Sequence, residues 1–371
     1  MFHYLIALRK KILFVLGKAL SILPHKVLNV IIESSLQGAQ DKGPDFLTLH
    51  RRPKSGAASR TSYLPVLNPN ITPPTIGLII QGAIRHEDNF TLESVHYYRQ
   101  SMPSTQIIVS TWEDEAPEIL TRLKDAGAIV VTSVKPKVSG AINVNFQTRS
   151  TLSGIQRARE LGCDYVAKSR SDQRIYAPNI LVFLYELLVQ FPLKSESNQT
   201  ARLLTTNFAT MMFIPFYFAD QFMFGTTDDM EKYWSPPDNQ LTTRIGFFGK
   251  TIRQVIESDV VPEIFLTQHY LTKIGVSYSL TLAESWRALA NHFIVIDREW
   301  LDSYWPKYAP HNEYADRDYS GASCAQTVRF LDWLRLYQQY SADASAPEHL
   351  LDEPFDKAVS LFDTNEKTKQ A

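Results

Sequence analysis

Short apolar runs alternate with helix-like stretches through the first half of the sequence, and this alternation restricts the fold more than any other feature. Four runs have the length and composition of buried strands: 76–80, 106–111, 128–132 and 165–167. The stretches between them, 91–100, 117–126 and 147–161, are each followed by a residue that ends helices, Pro103, Gly127 and Gly162. This order predicts an α/β fold of the Rossmann type, with a mostly parallel sheet, flanking helices and right-handed crossovers.

The turn after the first strand argues against two common kinds of nucleotide site. Neither a GxGxxG motif nor a Walker-type phosphate loop follows residue 80, which argues against dinucleotide and P-loop sites. The 371-residue chain has a net charge of −1, so we expect no nucleic-acid partner. Its two cysteines, Cys163 and Cys324, are too few for a disulfide framework or a cysteine metal site, and they favour a reducing compartment.

A cluster of charges follows the predicted strand at 165–167. Arg170, Asp172 and Arg174 come directly after it. Ligands of open α/β sheets bind beyond the carboxyl ends of strands, where a carboxylate between guanidinium groups would suit a phosphate together with a divalent cation. Asp172 would be the metal ligand, and the arginines would face phosphate oxygens. The alternative is an ion-pair cluster that only closes a loop.

Further candidates for a nucleotide site lie at the start of the helix predicted at 147–161 and after the first strand. Helix N-termini direct free N–H groups at anions, and Asn145 and Arg149 stand near this one. Because Arg149 opposes the helix dipole there, an anionic ligand would relieve a local cost. The alternative is a capping Asn and a solvated Arg. Gln81 and Gly82, after the first strand, would approach the base or ribose.

Two acids are candidates for a catalytic base. Asp220 lies inside an aromatic segment, 216–225, where an ionised carboxylate needs a bonding partner. It would bind sugar hydroxyls or take a proton, or it is a hydrogen-bonded structural Asp. Glu263 follows Pro262 at a predicted helix start, and helix initiation alone also explains an acid at this position.

The ends of the chain differ from its centre. Residues 1–36 repeat leucine and isoleucine every three or four positions and include Arg9, Lys10, Lys11 and Lys18. This pattern fits a basic amphipathic helix at a membrane surface, a helix packed on the protein's own core, or a signal peptide. Residues 37–75 are rich in Gly, Ser and Pro and are expected to be a linker, and 341–371 to be a frayed tail.

Several of these stretches together resemble one known family over about residues 76–310. The motifs are Ile79-Ile80-Gln81-Gly82, Ile107-Ile108-Val109-Ser110-Thr111-Trp112, the run from Gln147 to Ile175, Asp220-Gln221-Phe222-Met223-Phe224-Gly225, and Pro262-Glu263. In their order and residues they resemble the WavE-type lipopolysaccharide synthesis family. That family is similar to GT-A glycosyltransferases, which use a nucleotide-sugar donor and usually a divalent cation.

The resemblance implies a GT-A-like domain and roles for several of the residues above. A GT-A strand ends in Asp-x-Asp, and the equivalent triplet here is Arg170-Ser171-Asp172. Asp172 would bind Mn²⁺ or Mg²⁺, while Arg170 replaces the first acid and would itself neutralise the donor diphosphate. Asn145, Arg149 and Arg174 would complete the diphosphate site. Asp220 is the first candidate for the base and Glu263 the second.

The expected protein is a glycosyltransferase that moves a sugar to a lipopolysaccharide core or a related surface glycan. Its domain would span 76–340, with a nucleotide-binding half at 76–175 and an acceptor half at 176–340. It would work in the cytoplasm at the inner face of a bacterial inner membrane, where the acceptor is lipid-linked. Two rivals remain: a non-catalytic nucleotide-sugar-binding or scaffold protein of the same pathway, and another phosphate-handling enzyme such as a nucleotidyltransferase.

Overall fold

The computed structural model describes residues 20, 22–40, 74–194, 197–241, 256, 261–305 and 327–340. The chain divides into two compact units, Met1–Pro53 and Lys54–Ala371. In the first unit a helix, α1, spans His25–Gln40 and therefore continues past the boundary predicted at residue 36. The basic residues 9–18 and the predicted tail 341–371 lie outside the described residues. Within the described part of the chain, every helix is too short or too polar to cross a membrane.

The second unit is built on a seven-stranded sheet. Its strands are β1 Ile76–Gln81, β2 Gln106–Trp112, β3 Ile129–Ser133, β4 Tyr165–Arg170, β6 Leu203–Thr206, β7 Met223–Thr226 and β8 Phe293–Ile296. They lie side by side in the order β3-β2-β1-β4-β7-β6-β8. Two short strands, β5 Arg174–Ile175 and β9 Ser303–Tyr304, form a separate antiparallel pair. Within the large sheet every pairing is parallel except the two made by β7.

Helices connect and cover these strands. They are α2 Phe90–Ser101, α3 Pro117–Asp125, α4 Val144–Glu160, α5 Ile180–Gln190, α6 Thr227–Tyr233, α7 Pro262–Lys273, α8 Leu282–His292 and α9 Phe330–Tyr340. All six residues of β1 are buried, which shows that both faces of the sheet centre are covered. The α4 helix packs closely on this centre, because a Cβ at Gly154 would lie 2.5 Å from Cγ2 of Ile79. The mostly parallel, helix-flanked sheet predicted from the sequence is confirmed.

Three elements differ from the sequence-based expectation. The strand β7 begins inside the aromatic segment at 216–225 and ends at Thr226. It has no alternating pattern because all four residues of the strand are buried. The α8 helix was not predicted, although Thr281 and Glu284 form an N-terminal capping signal in which the Thr281 side chain accepts a bond from the Glu284 N–H. The α4 helix begins at Val144, so Asn145 is inside it and Arg149 is beyond its first turn.

Candidate active site

One edge of the sheet gathers most of the polar residues predicted for the site. Strands β1, β4, β6 and β8 run in the same direction and end there. Because β7 is antiparallel to β4, with Lys168 opposite Met223, the residues that precede β7 lie beside the residues that follow β4. The topology therefore brings Asp220 and Gln221 next to the turn that carries Asp172. Ligands of open α/β sheets bind at this carboxyl edge.

The turn after β4 is fastened to the loop after β1. The Ser171 N–H donates to the carbonyl of Gln81, its hydroxyl donates to the carbonyl of Ala83, and its own carbonyl accepts from the Thr91 hydroxyl. Gly82 has a φ of +110° there, and a Cβ would lie 3.2 Å from the Ser171 hydroxyl, so this position favours glycine. The turn therefore holds its charged side chains in fixed positions.

Arg170 and Asp172 pair with each other within that turn. Nε of Arg170 lies 2.8 Å from Oδ1 of Asp172, and Nη2 lies 3.2 Å from Oδ2, which is a two-point guanidinium–carboxylate pair. The guanidinium also lies 4.9 Å from the centre of the Trp305 ring. Both charged side chains are about three-quarters buried.

The described residues at this edge do not supply the set of oxygen ligands that a divalent cation takes. Mn²⁺ and Mg²⁺ take several oxygen ligands, and both oxygens of Asp172 already accept bonds from Arg170. Across the described ranges, no group of three or more His, Cys, Asp or Glu residues is placed to hold a metal ion.

Asp220 lies at the same edge and is buried. Its Oδ2 accepts a 2.8 Å bond from Nε2 of Gln147 on α4, and its main-chain carbonyl accepts a 2.6 Å bond from Nζ of Lys168. Lys168 is wholly buried in β4, and its ammonium also lies 4.6 Å from the centre of the Trp234 ring. Burial lowers the pKa of Lys168 to about 7, although the charge of Asp220 acts in the opposite direction.

Glu263 completes this acidic cluster from the first turn of α7. Burial, together with the charge of Asp220, raises the pKa of Glu263 to about 8, while a hydrogen bond from Tyr217 and the charge of Lys168 act in the opposite direction. Glu263 therefore holds a proton at neutral pH. Two carboxyl groups beside one buried lysine form an environment in which a proton can be accepted and retained.

Side-chain amides connect the acidic cluster to the turn after β4. Nε2 of Gln173 donates to Oε1 of Gln221 over 2.9 Å, and Nε2 of Gln221 donates to the hydroxyl of Thr206 over 3.0 Å. The side-chain oxygen of Gln173, Oε1, is buried and has no hydrogen-bond partner among the described residues. This chain of amides fixes the spacing between the Asp172 turn and the Asp220 segment.

Two predicted site residues have roles inside the fold. Asn145 donates to the carbonyls of residues 138 and 239 and accepts from the N–H of Asn239, so its amide joins two loops. The buried guanidinium of Arg174 bonds to Ser94, Tyr176 and the carbonyl of residue 90, away from the turn. These partners do not place Asn145 and Arg174 among the diphosphate ligands. Their polar groups are satisfied by the protein itself.

Two other predicted residues are only partly at the site. The side chain of Gln81 is buried and accepts a 2.8 Å bond from the Ser150 hydroxyl of α4. Arg149 is exposed and stands two positions after Gln147, so it does not share the helix face that meets Asp220. Gly82, Arg170, Asp172, Asp220 and Glu263 remain at the edge. Lys168 was not predicted, although a lysine inside a buried strand was a signal for it.

Comparisons with known proteins give a family and a set of weak structural likenesses. No curated protein matches the chain. A cytidylyltransferase from Leptospira borgpetersenii is 13% identical with a TM-score of 0.31, over 80% of this chain and 95% of that one. A 4-diphosphocytidyl-2C-methyl-D-erythritol synthase from Anaerococcus prevotii is 13% identical with a TM-score of 0.30, over 54% of this chain and 97% of that one. The family model described as WavE lipopolysaccharide synthesis matches residues 76–352, which include every strand of the sheet and the acidic cluster. The chain belongs to the WavE lipopolysaccharide synthesis family.

Proposed function

We propose that the protein is a glycosyltransferase that moves a sugar from a nucleotide-sugar donor to a lipopolysaccharide core or a related surface glycan. One observation carries this proposal: two neighbouring carboxyl groups, the buried Asp220 and the partly buried Glu263, lie at the same sheet edge as the guanidinium of Arg170. The pair can take a proton from an acceptor hydroxyl, and the guanidinium can neutralise a leaving diphosphate. Membership of the lipopolysaccharide synthesis family supports a glycan substrate.

The proposed reaction is a single displacement at the anomeric carbon. Asp220 accepts the proton of the acceptor hydroxyl, whose oxygen bonds to the anomeric carbon as the bond from that carbon to the diphosphate oxygen breaks. The nucleoside diphosphate leaves with the bonding electrons, and Arg170 faces the negative charge that develops on it. Burial raises the pKa of Glu263 to about 8, so Glu263 is not the group proposed as the base.

In the proposed reaction a guanidinium, and not a metal ion, faces the diphosphate. The guanidinium of Arg170 would supply the positive charge for the diphosphate, and its two bonds to Asp172 hold it in place. We therefore expect turnover to persist in a chelator.

The N-terminal unit is proposed to bring the enzyme to a lipid-linked acceptor at the inner face of a bacterial membrane. Residues 9–18 contribute four positive charges and no negative ones. In helix α1 the apolar side chains of Val27 and Val30 are about half exposed. Exposed apolar side chains together with basic residues suit a surface of anionic lipids. If deletion of residues 1–36 left the partitioning onto anionic vesicles unchanged, this part of the proposal would be withdrawn.

A donor screen tests the proposed function. Each nucleotide-sugar is assayed for thermal stabilisation and for slow donor hydrolysis with the wild type, Asp220→Asn and Asp228→Asn. Asp228 is a matched control because it is a surface acid paired with Arg159, away from the site. We expect one donor to be hydrolysed by the wild type and by the control but not by Asp220→Asn.

The same screen separates the two rival functions. The closed Arg170–Asp172 pair is the observation that favours a non-catalytic binding protein, and that rival predicts stabilisation by a donor without any turnover. A nucleotidyltransferase would instead consume a nucleoside triphosphate and a sugar phosphate and leave nucleotide-sugars intact.

A further inference from the structure

Lys168 is the least expected charged group in the fold. It lies near the end of β4, has no exposed surface, and is flanked in the strand by the buried residues Ala167 and Ser169. A buried ammonium is unfavourable unless it is well bonded. The contacts that compensate for the burial of Lys168 therefore show which part of the protein it stabilises.

Those contacts are to main chain and to an aromatic ring. Nζ donates to the carbonyl of Asp220 over 2.6 Å and approaches that of Gln221 at 3.4 Å, and it lies 4.6 Å from the centre of the Trp234 ring. The ammonium thus holds two consecutive peptide units immediately before β7. One carries the candidate base, and the other carries the amide that meets Gln173.

We propose that Lys168 is a positioning residue: by holding the main chain at Asp220 and Gln221, it fixes the place of the Asp220 carboxylate at the edge of the sheet. This inference rests on the proposed function. The carboxylate is then held from two directions, by Lys168 through the main chain and by Gln147 through its side chain at 2.8 Å. Such fixing is valuable because a misplacement of about 1 Å can reduce a rate on the order of a hundredfold.

The charge of Lys168 also acts on the acidic cluster. The charged groups around it are Arg170 and Asp172 from the end of β4, Asp220 before β7, and Glu263 from α7. Tyr233, in the last turn of α6, lies near the same two acids. The ammonium lowers the pKa of Glu263 against the larger effects of burial and Asp220, so loss of the lysine would raise that pKa further.

The test compares Lys168→Met with Lys273→Met. Lys273 is a matched control because its ammonium also bonds a main-chain carbonyl, that of Ser235 at 2.6 Å, at the opposite end of α7 from Glu263. In donor hydrolysis we expect kcat of Lys168→Met to fall on the order of a hundredfold with little change in the donor KM. Lys168→Arg, which keeps the charge, should recover part of kcat, and Lys273→Met should match the wild type.

A second readout does not depend on activity. Carbodiimide labels protonated carboxyl groups, and peptide mass spectrometry over a pH series gives the midpoint for Glu263. We expect Lys168→Met to move that midpoint to higher pH and Lys273→Met to leave it in place. If the Met variant does not fold, Lys168→Gln, which loses the charge but keeps a donor, serves with the same expected shift.

The two readouts distinguish the possible failures. If no nucleotide-sugar is hydrolysed by the wild type but the Glu263 midpoint moves in Lys168→Met, the proposed function fails while the electrostatic coupling stands. If Lys168→Met behaves like Lys273→Met in kcat and in the midpoint, Lys168 is only a packing residue and the inference is overturned.

Discussion

The raised pKa of Glu263 has a measurable effect on stability. A glutamate that titrates at 4.5 when the chain is unfolded and at about 8 when it is folded stays protonated in the native protein between those values. In that range the native state binds more protons than the unfolded state, so the stability contribution of Glu263 falls as the pH rises. With 1.36 kcal/mol per pKa unit, the loss between pH 5 and pH 8 is roughly 3 kcal/mol.

Glu263→Gln should remove this loss because glutamine does not ionise. The free energy of unfolding of the variant, relative to the wild type, is expected to rise by roughly 3 kcal/mol from pH 5 to pH 8. Urea unfolding at pH 5, 6.5 and 8 measures it, and a constant effect of the substitution cancels in the comparison between pH values. If Glu263→Gln changed the free energy of unfolding by the same amount at pH 5 and at pH 8, the reasoning would be refuted.

Glu118→Gln is the matched control for this experiment. Pro117-Glu118 opens α3 in the same way that Pro262-Glu263 opens α7, but Glu118 is exposed. If helix initiation were the whole role of Glu263, the two variants would show the same pH dependence. We expect only Glu263→Gln to depend on pH in this range.

Three further predictions follow from other contacts. Arg170→Gln should raise the donor KM at least tenfold and lower kcat in steady-state donor hydrolysis. The control Arg157→Gln removes a surface pair with Glu160 and should change neither constant. Arg174→Met should lower the free energy of unfolding by about 1–3 kcal/mol because its buried partners lose their donor, while the donor KM of the folded fraction stays unchanged. Gly154→Ala should destabilise the protein by about 1–3 kcal/mol in urea unfolding because the added Cβ meets Ile79.

The sheet centre was predictable because its strands are buried on both faces. Runs such as 76–80 are apolar throughout, and the helices between them end at proline or glycine. The strand β7 was harder to find because it is short and overlaps a longer aromatic segment in which every residue except Tyr217 is buried. Its antiparallel direction comes from tertiary pairing with β4 and β6, which no local pattern encodes.

The site was predictable in its residue types but not in its arrangement. Asp220 and Glu263 are separated by 42 intervening positions, and only the direction of β7 and the placement of α7 bring them together. Conversely, Asn145 and Arg174 have residue types that suit phosphate, but nearby loops and α2 use their hydrogen bonds. Sequence reasoning identifies polar groups near strand ends, whereas burial and partners decide which of them face a ligand.

The most direct measurement of the central claim is the mass of an oligosaccharide acceptor after incubation with the donor found in the screen. The reaction uses a deacylated lipopolysaccharide core as acceptor and contains EDTA, with wild type, Asp220→Asn and Asp228→Asn in parallel. The account predicts a gain of one sugar residue with the wild type and with Asp228→Asn, and none with Asp220→Asn. Equal gains with all three proteins would contradict the role of Asp220, and no gain with any of them, despite tight donor binding, would contradict the transferase.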